Sequence, residues 1–196
     1  MKLNITLPVL NEERQLPRAV AELTAFLRAN IDGSFEVVIV DNGSTDGTWA
    51  EAEHLAARHP EVRAMRLAKR GRGRALREAW QSSQADVLSY MDVDLSTGLE
   101  AFPALVAAVA EGQASVAVGS RLMPGSRVER CLKREVISRC YNGLVWGMFR
   151  VGFSDAQCGF KAVSADAARV LVPAIINNHW FFDTELLVIA EKRSFR

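Results

Sequence analysis

The chain has 196 residues, 49% of them hydrophobic, which suits one globular domain with a substantial core. Lysine and arginine number 24 against 23 aspartates and glutamates, so no global field selects nucleic acid as a partner. No stretch approaches the roughly 18 apolar residues needed to span a bilayer, and the short N-terminal run, broken by Asn4 and Thr6, is no secretory signal.

Strand-like apolar runs alternate with helical patterns along the chain. Leu3 to Leu7 reads as a first strand, and Leu16, Val20, Leu23 and Leu27 follow helical spacing. Phe35 to Val40 is a second strand, Gly43 to Gly47 a turn and Thr48 to Arg58 a helix. Val62 to Leu67 is a third strand, Arg74 to Ser83 a helix and Ala85 to Met91 a fourth strand. A helix from Phe102 to Glu111, with Pro103 in its first turn, precedes a fifth strand from Ser115 to Gly119. This order predicts an α/β fold with a mostly parallel sheet covered by helices on both faces. After Gly119 the pattern loses regularity. The last apolar run, Leu186 to Ala190, meets Glu191-Lys192-Arg193 without a Gly or Pro stop signal and reads as a C-terminally truncated domain.

The fourth strand ends in Met91-Asp92-Val93-Asp94. On a continuing strand, Asp92 and Asp94 share one side of the pleat. They then emerge at the carboxyl end of the sheet, where open α/β folds bind ligands. Two hard oxygen donors there suit Mg²⁺ or Mn²⁺ carrying a diphosphate. A lone Asp-X-Asp arises often by chance, so its neighbours decide the reading.

At the end of the first strand stands Pro8, expected to stop the ladder, and then Asn11-Glu12-Glu13, which taken alone is a helix cap followed by acids favoured by the helix dipole. Asp41 ends the second strand, placed to accept hydrogen bonds from a nucleobase or ribose, while Asp46-Gly47 closes a turn with Ser44 or Asp46 as local caps. Arg70-Gly71-Arg72-Gly73-Arg74 puts two glycines among cations ahead of a helix, a setting in which backbone can approach a phosphate. Neither a Walker loop nor a dinucleotide fingerprint is present, and no aromatics interleave as in an RNA-binding patch. Basic residues concentrate in two stretches, Arg63 to Arg77 and Arg121 to Arg139, which points to anionic ligands. The three cysteines, Cys131, Cys140 and Cys158, form no CxxC and leave one unpaired, as in a reducing compartment. His54, His59 and His179 lack metal-ligand spacing.

In order and spacing, Pro8…Asn11-Glu12, Asp41-Asn42-Gly43-Ser44, Gly71-Arg72-Gly73-Arg74-Ala75-Leu76, Asp92-Val93-Asp94 and Gly119-Ser120-Arg121 resemble family 2 glycosyltransferases of the GT-A fold. Asp155-Ala156-Gln157-Cys158-Gly159-Phe160-Lys161 and Trp180-Phe181-Phe182-Asp183-Thr184-Glu185-Leu186-Leu187 are similar to the dolichyl-phosphate glucosyltransferase branch, which shares much with the mannose synthases. The resemblance covers essentially the whole chain. It implies a single GT-A domain, with a nucleotide-sugar half over residues 1–119 and an acceptor half over 120–196.

What the resemblance implies for the site follows residue by residue. Asp41 and Glu12 hold the nucleoside, Pro8 shapes its pocket, and Gly71, Arg72 and Val93 line the nucleotide sugar. Asp92 faces the ribose or diphosphate, with Asp94 the metal ligand and Asp92 beside it. Asp155, Asp183 and Glu185 orient sugar hydroxyls or acceptor; Asp183 and Glu185 read equally well as caps and solvated groups of the last helix. Arg121, Arg134 and Ser138 grip the acceptor phosphate, Arg134 and Ser138 being one helical turn apart; the residues read alone also suit a solvated helix face. Arg72 stands where the family usually has Lys, and Asn42 where many members have Asp. Ser96 replaces the Gln usual in mannose synthases, which favours UDP-glucose over GDP-mannose.

The implied reaction is metal-dependent, inverting transfer of a hexose to a polyprenyl phosphate. Other candidates are a mannose synthase, a family 2 transferase acting on a soluble glycan, and a non-catalytic nucleotide-sugar-binding scaffold. Val136, Ile137, Tyr141, Leu144, Val145, Trp146 and Phe149 give one further helix a broad apolar face, explained either by core packing or by an isoprenoid groove or membrane surface. The expected location is peripheral, on the cytoplasmic face of a membrane.

Overall fold

The computed structural model describes residues 1–120 and 132–196, the backbone alone for 132–136. The strands are β1 (Lys2–Val9), β2 (Ser34–Asp41), β3 (Val62–Arg66), β4 (Val87–Met91), β5 (Val116–Val118) and β6 (Phe160–Ser164). The helices are α1 (Leu16–Asn30), α2 (Thr48–Arg58), α3 (Arg72–Gln81), α4 (Phe102–Ala110), α5 (Leu132–Phe149), α6 (Ala165–Leu171) and α7 (Phe182–Lys192). One sheet runs in the order β3-β2-β1-β4-β6-β5. β1, β2, β3 and β4 pair in parallel, and β6 is antiparallel to both β4 and β5.

The alternation along β2 explains the layering. Val37 and Ile39 enter a core formed with α1, α2 and α4, while Val38 and Val40 enter a second core formed with α3, α6 and α7. On β1, Leu3, Ile5, Leu7 and Val9 all face the first core. The polar interruptions Asn4 and Thr6 are nonetheless buried, and the Thr6 hydroxyl donates to Asn4 Oδ1 at 2.9 Å. Burial without solvent therefore leaves neither group short of a partner.

Three expectations need correction. β6 was not anticipated: a strand of five residues with Lys161 in its middle carries no readable alternation. Pro8 does not stop β1, which stays in register with β2 through Pro8–Val40 and Val9–Asp41. It is the pairing with β4 that ends early, at Thr6–Tyr90, two residues before a proline nitrogen with no hydrogen to donate. The last helix also has a backbone stop, although no Gly or Pro announces it. Ser194 adopts a positive φ of 59°, Phe195 N–H donates to the Ala190 carbonyl, and the Arg196 carbonyl accepts from Val116 N–H beside β5.

Among the described residues no helix is long and apolar enough to cross a membrane. On α5 the core-packing explanation holds for Val145, which is buried, but Ile137, Leu144, Trp146 and Met148 are exposed. Gly143 sits inside this helix with nothing within 4 Å of where a Cβ would stand. Gly143→Ala is expected to raise stability by about 0.5–1 kcal/mol, since alanine loses less backbone entropy in a helix. A higher urea midpoint at unchanged slope would show it; a lower midpoint would mean that this helix face is packed in solution.

Candidate active site

Strand order reverses at β1: β2 and β3 extend the sheet to one side of it, while β4, also parallel, lies on the other. Such a switch point leaves a crevice at the carboxyl ends of the two strands. A cavity of about 630 Å³ occupies it. Pro8, Val9, Leu10 and Glu12 form one wall, Asp92, Val93 and Asp94 another, and Asn42, Arg70, Gly71 and Arg72 a third; His179 and Trp180 close it from the segment before α7. A cavity of similar size, about 600 Å³, opens at the other end of the sheet between α3 and α6. Its charged groups include the surface pair Arg169–Asp166, so the chemistry-bearing residues belong to the first.

The two carboxylates do not share a pleat. β4 ends at Met91, and Leu95 N–H returns to the Asp92 carbonyl, so Asp92 to Leu95 is a tight turn with Leu95 at a φ of 50°. The turn divides the pair. Asp92 is half-buried and accepts from Arg72 at 2.7 Å; Asp94 is exposed, its Oδ1 receiving Ser96 N–H at 3.0 Å. Gly159 packs so closely on Asp92 that an added Cβ would lie 2.0 Å from its Oδ2.

Arg72 is buried, unlike most arginines, because α3 begins with it beneath α7. Its guanidinium donates to Asp183 at 2.6 Å and to Asp92 at 2.7 Å, and lies 5.0 Å from the ring centroids of both Tyr90 and Trp180. Burial opposes its charge; the Tyr90 hydroxyl and the Asp183 and Asp92 carboxylates outweigh that and hold it charged above its ordinary range. Behind it, Lys161 is fully buried and donates to the Cys158 carbonyl at 2.6 Å, to Asp183 at 2.9 Å and to the Tyr90 hydroxyl at 3.0 Å. Tyr90 donates to Asp183, and burial followed by that carboxylate pushes its hydroxyl well above the usual phenol range. Two buried cations and two carboxylates thus balance beneath the cavity floor.

The loops after β1 and β2 are stitched together. Asn11 is not a helix cap: at a φ of 58° its side chain accepts Thr45 N–H at 2.8 Å, and its own N–H goes to Ser44 Oγ. Glu12 N–H donates to the Thr48 hydroxyl, and Gly47 N–H to Glu13. Asp46 closes the turn ahead of α2, one residue before the N-cap Gly47; it accepts Thr48 N–H at 3.1 Å, and the Thr48 hydroxyl holds its carboxyl below the usual range. Glu12 faces the cavity with its carboxyl raised by burial and then by the charges of Asp94 and Asp46.

Asp41 lies under this loop, fully buried and outside the cavity walls. Its Oδ1 accepts Ser44 N–H; Oδ2 is 3.3 Å from Arg66 Nε, close enough for attraction but not aligned for a hydrogen bond. Asn42 lines the cavity instead and accepts Gly71 N–H at 2.6 Å. The glycines of Arg70-Gly71-Arg72-Gly73 answer to protein as much as to ligand. A Cβ at Gly71 would stand 2.4 Å from the Asn178 carbonyl, and one at Gly73 2.5 Å from Phe182 Cβ. Much of the basic stretch is internally engaged: Arg63 with Glu36, Arg66 with Asp41, Arg70 with the Gly43 carbonyl and Arg77 with the carbonyls of Val172 and Ile175.

Asp183 is neither a cap nor a cavity group; both its oxygens are taken by Arg72, Lys161 and Tyr90. Glu185 accepts N–H groups of Ile176 and Asn177 and so fixes the segment leading to Trp180. Asp155 is buried, and its neighbour Ala156 donates to Asn142 of α5 at 2.8 Å. Ser138 is half-buried on α5. Arg121 and the Arg134 side chain lie outside the described residues. Arg70, His179 and Trp180 are cavity residues to which the sequence reading gave no role, although Arg70 opens the glycine–arginine motif and Trp180 the segment ending at Leu187.

Comparison with known proteins agrees with this geometry. The model of "Glycosyl transferase family 2" matches residues 5–171. Glycosyltransferase AglD of Haloferax volcanii is 39% identical over all of this chain, which covers 32% of that protein. The human dolichyl-phosphate beta-glucosyltransferase is 32% identical over 97% of this chain, covering 63% of its own length. The chain therefore spans from about a third to just under two thirds of these relatives. Among solved structures, glucosyl-3-phosphoglycerate synthase from Mycobacterium tuberculosis in complex with UDP superposes with a TM-score of 0.71 over 98% of this chain and 66% of that one, at 22% identity. The same synthase with Mn²⁺, UDP-glucose and phosphoglyceric acid gives a TM-score of 0.71 at 20% identity. The sheet with its switch-point cavity is the GT-A fold, and the chain belongs to glycosyltransferase family 2.

Proposed function

We propose that this domain transfers a hexose, glucose from UDP-glucose, to a polyprenyl or dolichyl phosphate with inversion at the anomeric carbon. The observation that carries the reading is one cavity holding the Asp92/Asp94 turn, the Arg72 guanidinium and the Asn42/Glu12 wall at the sheet's switch point. The relatives named dolichyl-phosphate beta-glucosyltransferase and the solved complexes with UDP-glucose support the choice of donor and acceptor.

The residues present fit a divalent cation. Asp94 offers an exposed carboxylate, and Asp92 and Glu12 line the same cavity as further hard oxygen donors. Among the described residues no three His, Cys, Asp or Glu converge as a ready-made cage. Asp94 would hold Mg²⁺ or Mn²⁺, with Asp92 beside it. When bound, the cation neutralises charge on the departing diphosphate.

The chain's own residues orient the reaction. Arg72, fixed by Asp183 and two aromatic rings, presents positive charge to the diphosphate; Pro8, Asn42 and Glu12 border the nucleoside, with Asp41 supporting their loop. An acceptor phosphate, whose second pKa is about 6, is already largely ionised near neutrality and needs positioning more than a strong base. Its oxygen bonds to the anomeric carbon as the bond from that carbon to the diphosphate oxygen breaks, and the electron pair leaves with the diphosphate. Arg121, Arg134 and Ser138 of the acceptor half, residues 120–196, would grip that phosphate. Ile137, Leu144, Trp146 and Met148 on α5 supply apolar surface for the isoprenoid or a membrane face, consistent with a peripheral place on the cytoplasmic side.

Thermal-shift titration tests the donor assignment. UDP-glucose with Mn²⁺ is expected to raise Tm by several degrees, as a ligand at about 100 Kd contributes roughly 2.7 kcal/mol. Asp94→Ala should lose the metal-dependent part, and the wild type should glucosylate a short polyprenyl phosphate. A preference for GDP-mannose would move the protein to the mannose synthases, transfer to soluble glycan alone would remove the lipid acceptor, and no response to any nucleotide sugar would overturn the reading.

A further inference from the structure

Resting on the donor assignment above, we infer that Trp180 is the platform on which the transferred hexose lies. Three observations converge on it. Trp180 is 66% exposed although it is the largest apolar side chain on the cavity wall. A tryptophan that merely filled the fold would be buried, because its area dominates core energetics. The segment carrying it is held firmly: Glu185 accepts Ile176 and Asn177 N–H, His179 N–H bonds to Asn177 Oδ1, and the Asn178 carbonyl accepts Arg74 N–H at 3.1 Å against Gly71. The ring is therefore presented by a braced turn.

Its neighbour assigns the ligand. Arg72 lies over the indole face at 5.0 Å and reaches Asp92 at 2.7 Å, so the ring adjoins the place where the diphosphate must sit. In a nucleoside diphosphate sugar the group bonded directly to the outer phosphate is the hexose. A pyranose presents axial C–H groups on one face and hydroxyls at its rim, and a flat amphipathic ring backed by a cation complements the former while nearby polar groups meet the latter. A cavity built for the nucleotide alone has no use for an open indole next to the phosphates.

Calorimetric titration in Mn²⁺ of UDP and of UDP-glucose, on wild type, Trp180→Ala and Trp180→Phe, separates platform from prop. Trp180→Ala should weaken UDP-glucose about tenfold and leave UDP within about twofold, with Trp180→Phe recovering most of the loss, since one aromatic face replaces another. Equal weakening of both ligands would show that the ring only steadies Arg72 and would overturn the inference, as would unchanged affinity for both. If wild type binds neither, the donor assignment itself fails. If UDP-glucose binding is unchanged but KM for polyprenyl phosphate rises in Trp180→Ala, the ring serves the acceptor and the hexose platform is refuted.

Discussion

Asp183→Ala should cost about 3–5 kcal/mol of folding stability, because it strips the shared counter-ion from two buried cations. Asp183 is 1% exposed; Arg72 and Lys161 donate to opposite oxygens of its carboxylate at 2.6 and 2.9 Å. Removing it leaves Lys161, among the described residues, with the Cys158 carbonyl and the Tyr90 hydroxyl, neither of which carries charge at neutral pH. A domain typically holds 5–15 kcal/mol in all, so the loss is a large share of the total. Urea unfolding measures it, with Asp166→Ala as the comparison. The Arg169–Asp166 pair lies at the surface with side chains 74% and 91% exposed, so its removal should stay within about 1 kcal/mol. A loss at Asp183 no larger than that at Asp166 would mean that water reaches the cluster and that it is not buried in solution.

Gly159→Ala should lower turnover on the order of 10²-fold while leaving the fold intact. The added methyl would stand 2.0 Å from Asp92 Oδ2 and 2.6 Å from its Cγ. Something must move, and the Asp92 side chain can swing into the cavity, whereas β6 is clamped between β4 and β5. That swing breaks the 2.7 Å bond to Arg72 and puts a carboxylate where the diphosphate is proposed to sit. The unfolding free energy from urea titration should change by less than about 1 kcal/mol, since Asp92 is partly solvated. Nucleotide-sugar affinity and kcat/KM are the readouts; wild-type values for both would show that Asp92 tolerates displacement and has no fixed role.

Local patterns were legible in the sequence where they depend on near neighbours. Helix α2 runs over the residues its spacing indicated, and β1 to β5 fall within a few residues of the apolar runs. Motif order picked out Asp92, Asp94 and Arg72, which line one cavity. What escaped depends on partners far along the chain. Asn11 looks like a cap until Thr45 supplies its hydrogen bond, and Asp183 looks like a helix-start acid until Arg72 and Lys161 reach it. Lys161 hid β6, because a charged residue in a short run argues against burial unless its counter-ion is known. The pleat assigned to Asp92 and Asp94 failed because nothing between Met91 and Leu95 announces a positive φ at Leu95.

β5 and β6 are hydrogen-bonded neighbours, yet the chain between them makes its whole excursion from 119 to 159. The two ends meet where Gly119 N–H donates to the Phe160 carbonyl at 2.9 Å. An insertion whose ends already touch can be exchanged, lengthened or shortened at little cost, since closure entropy grows only with the logarithm of loop length. The excursion carries Arg121, Arg134, Ser138 and α5, whereas the carboxylate turn, Arg72 and Lys161 lie on the sheet or the helices packed against it. The architecture thus separates two evolutionary problems: the module proposed to meet the acceptor can be replaced while the end proposed to hold the nucleotide is inherited unchanged.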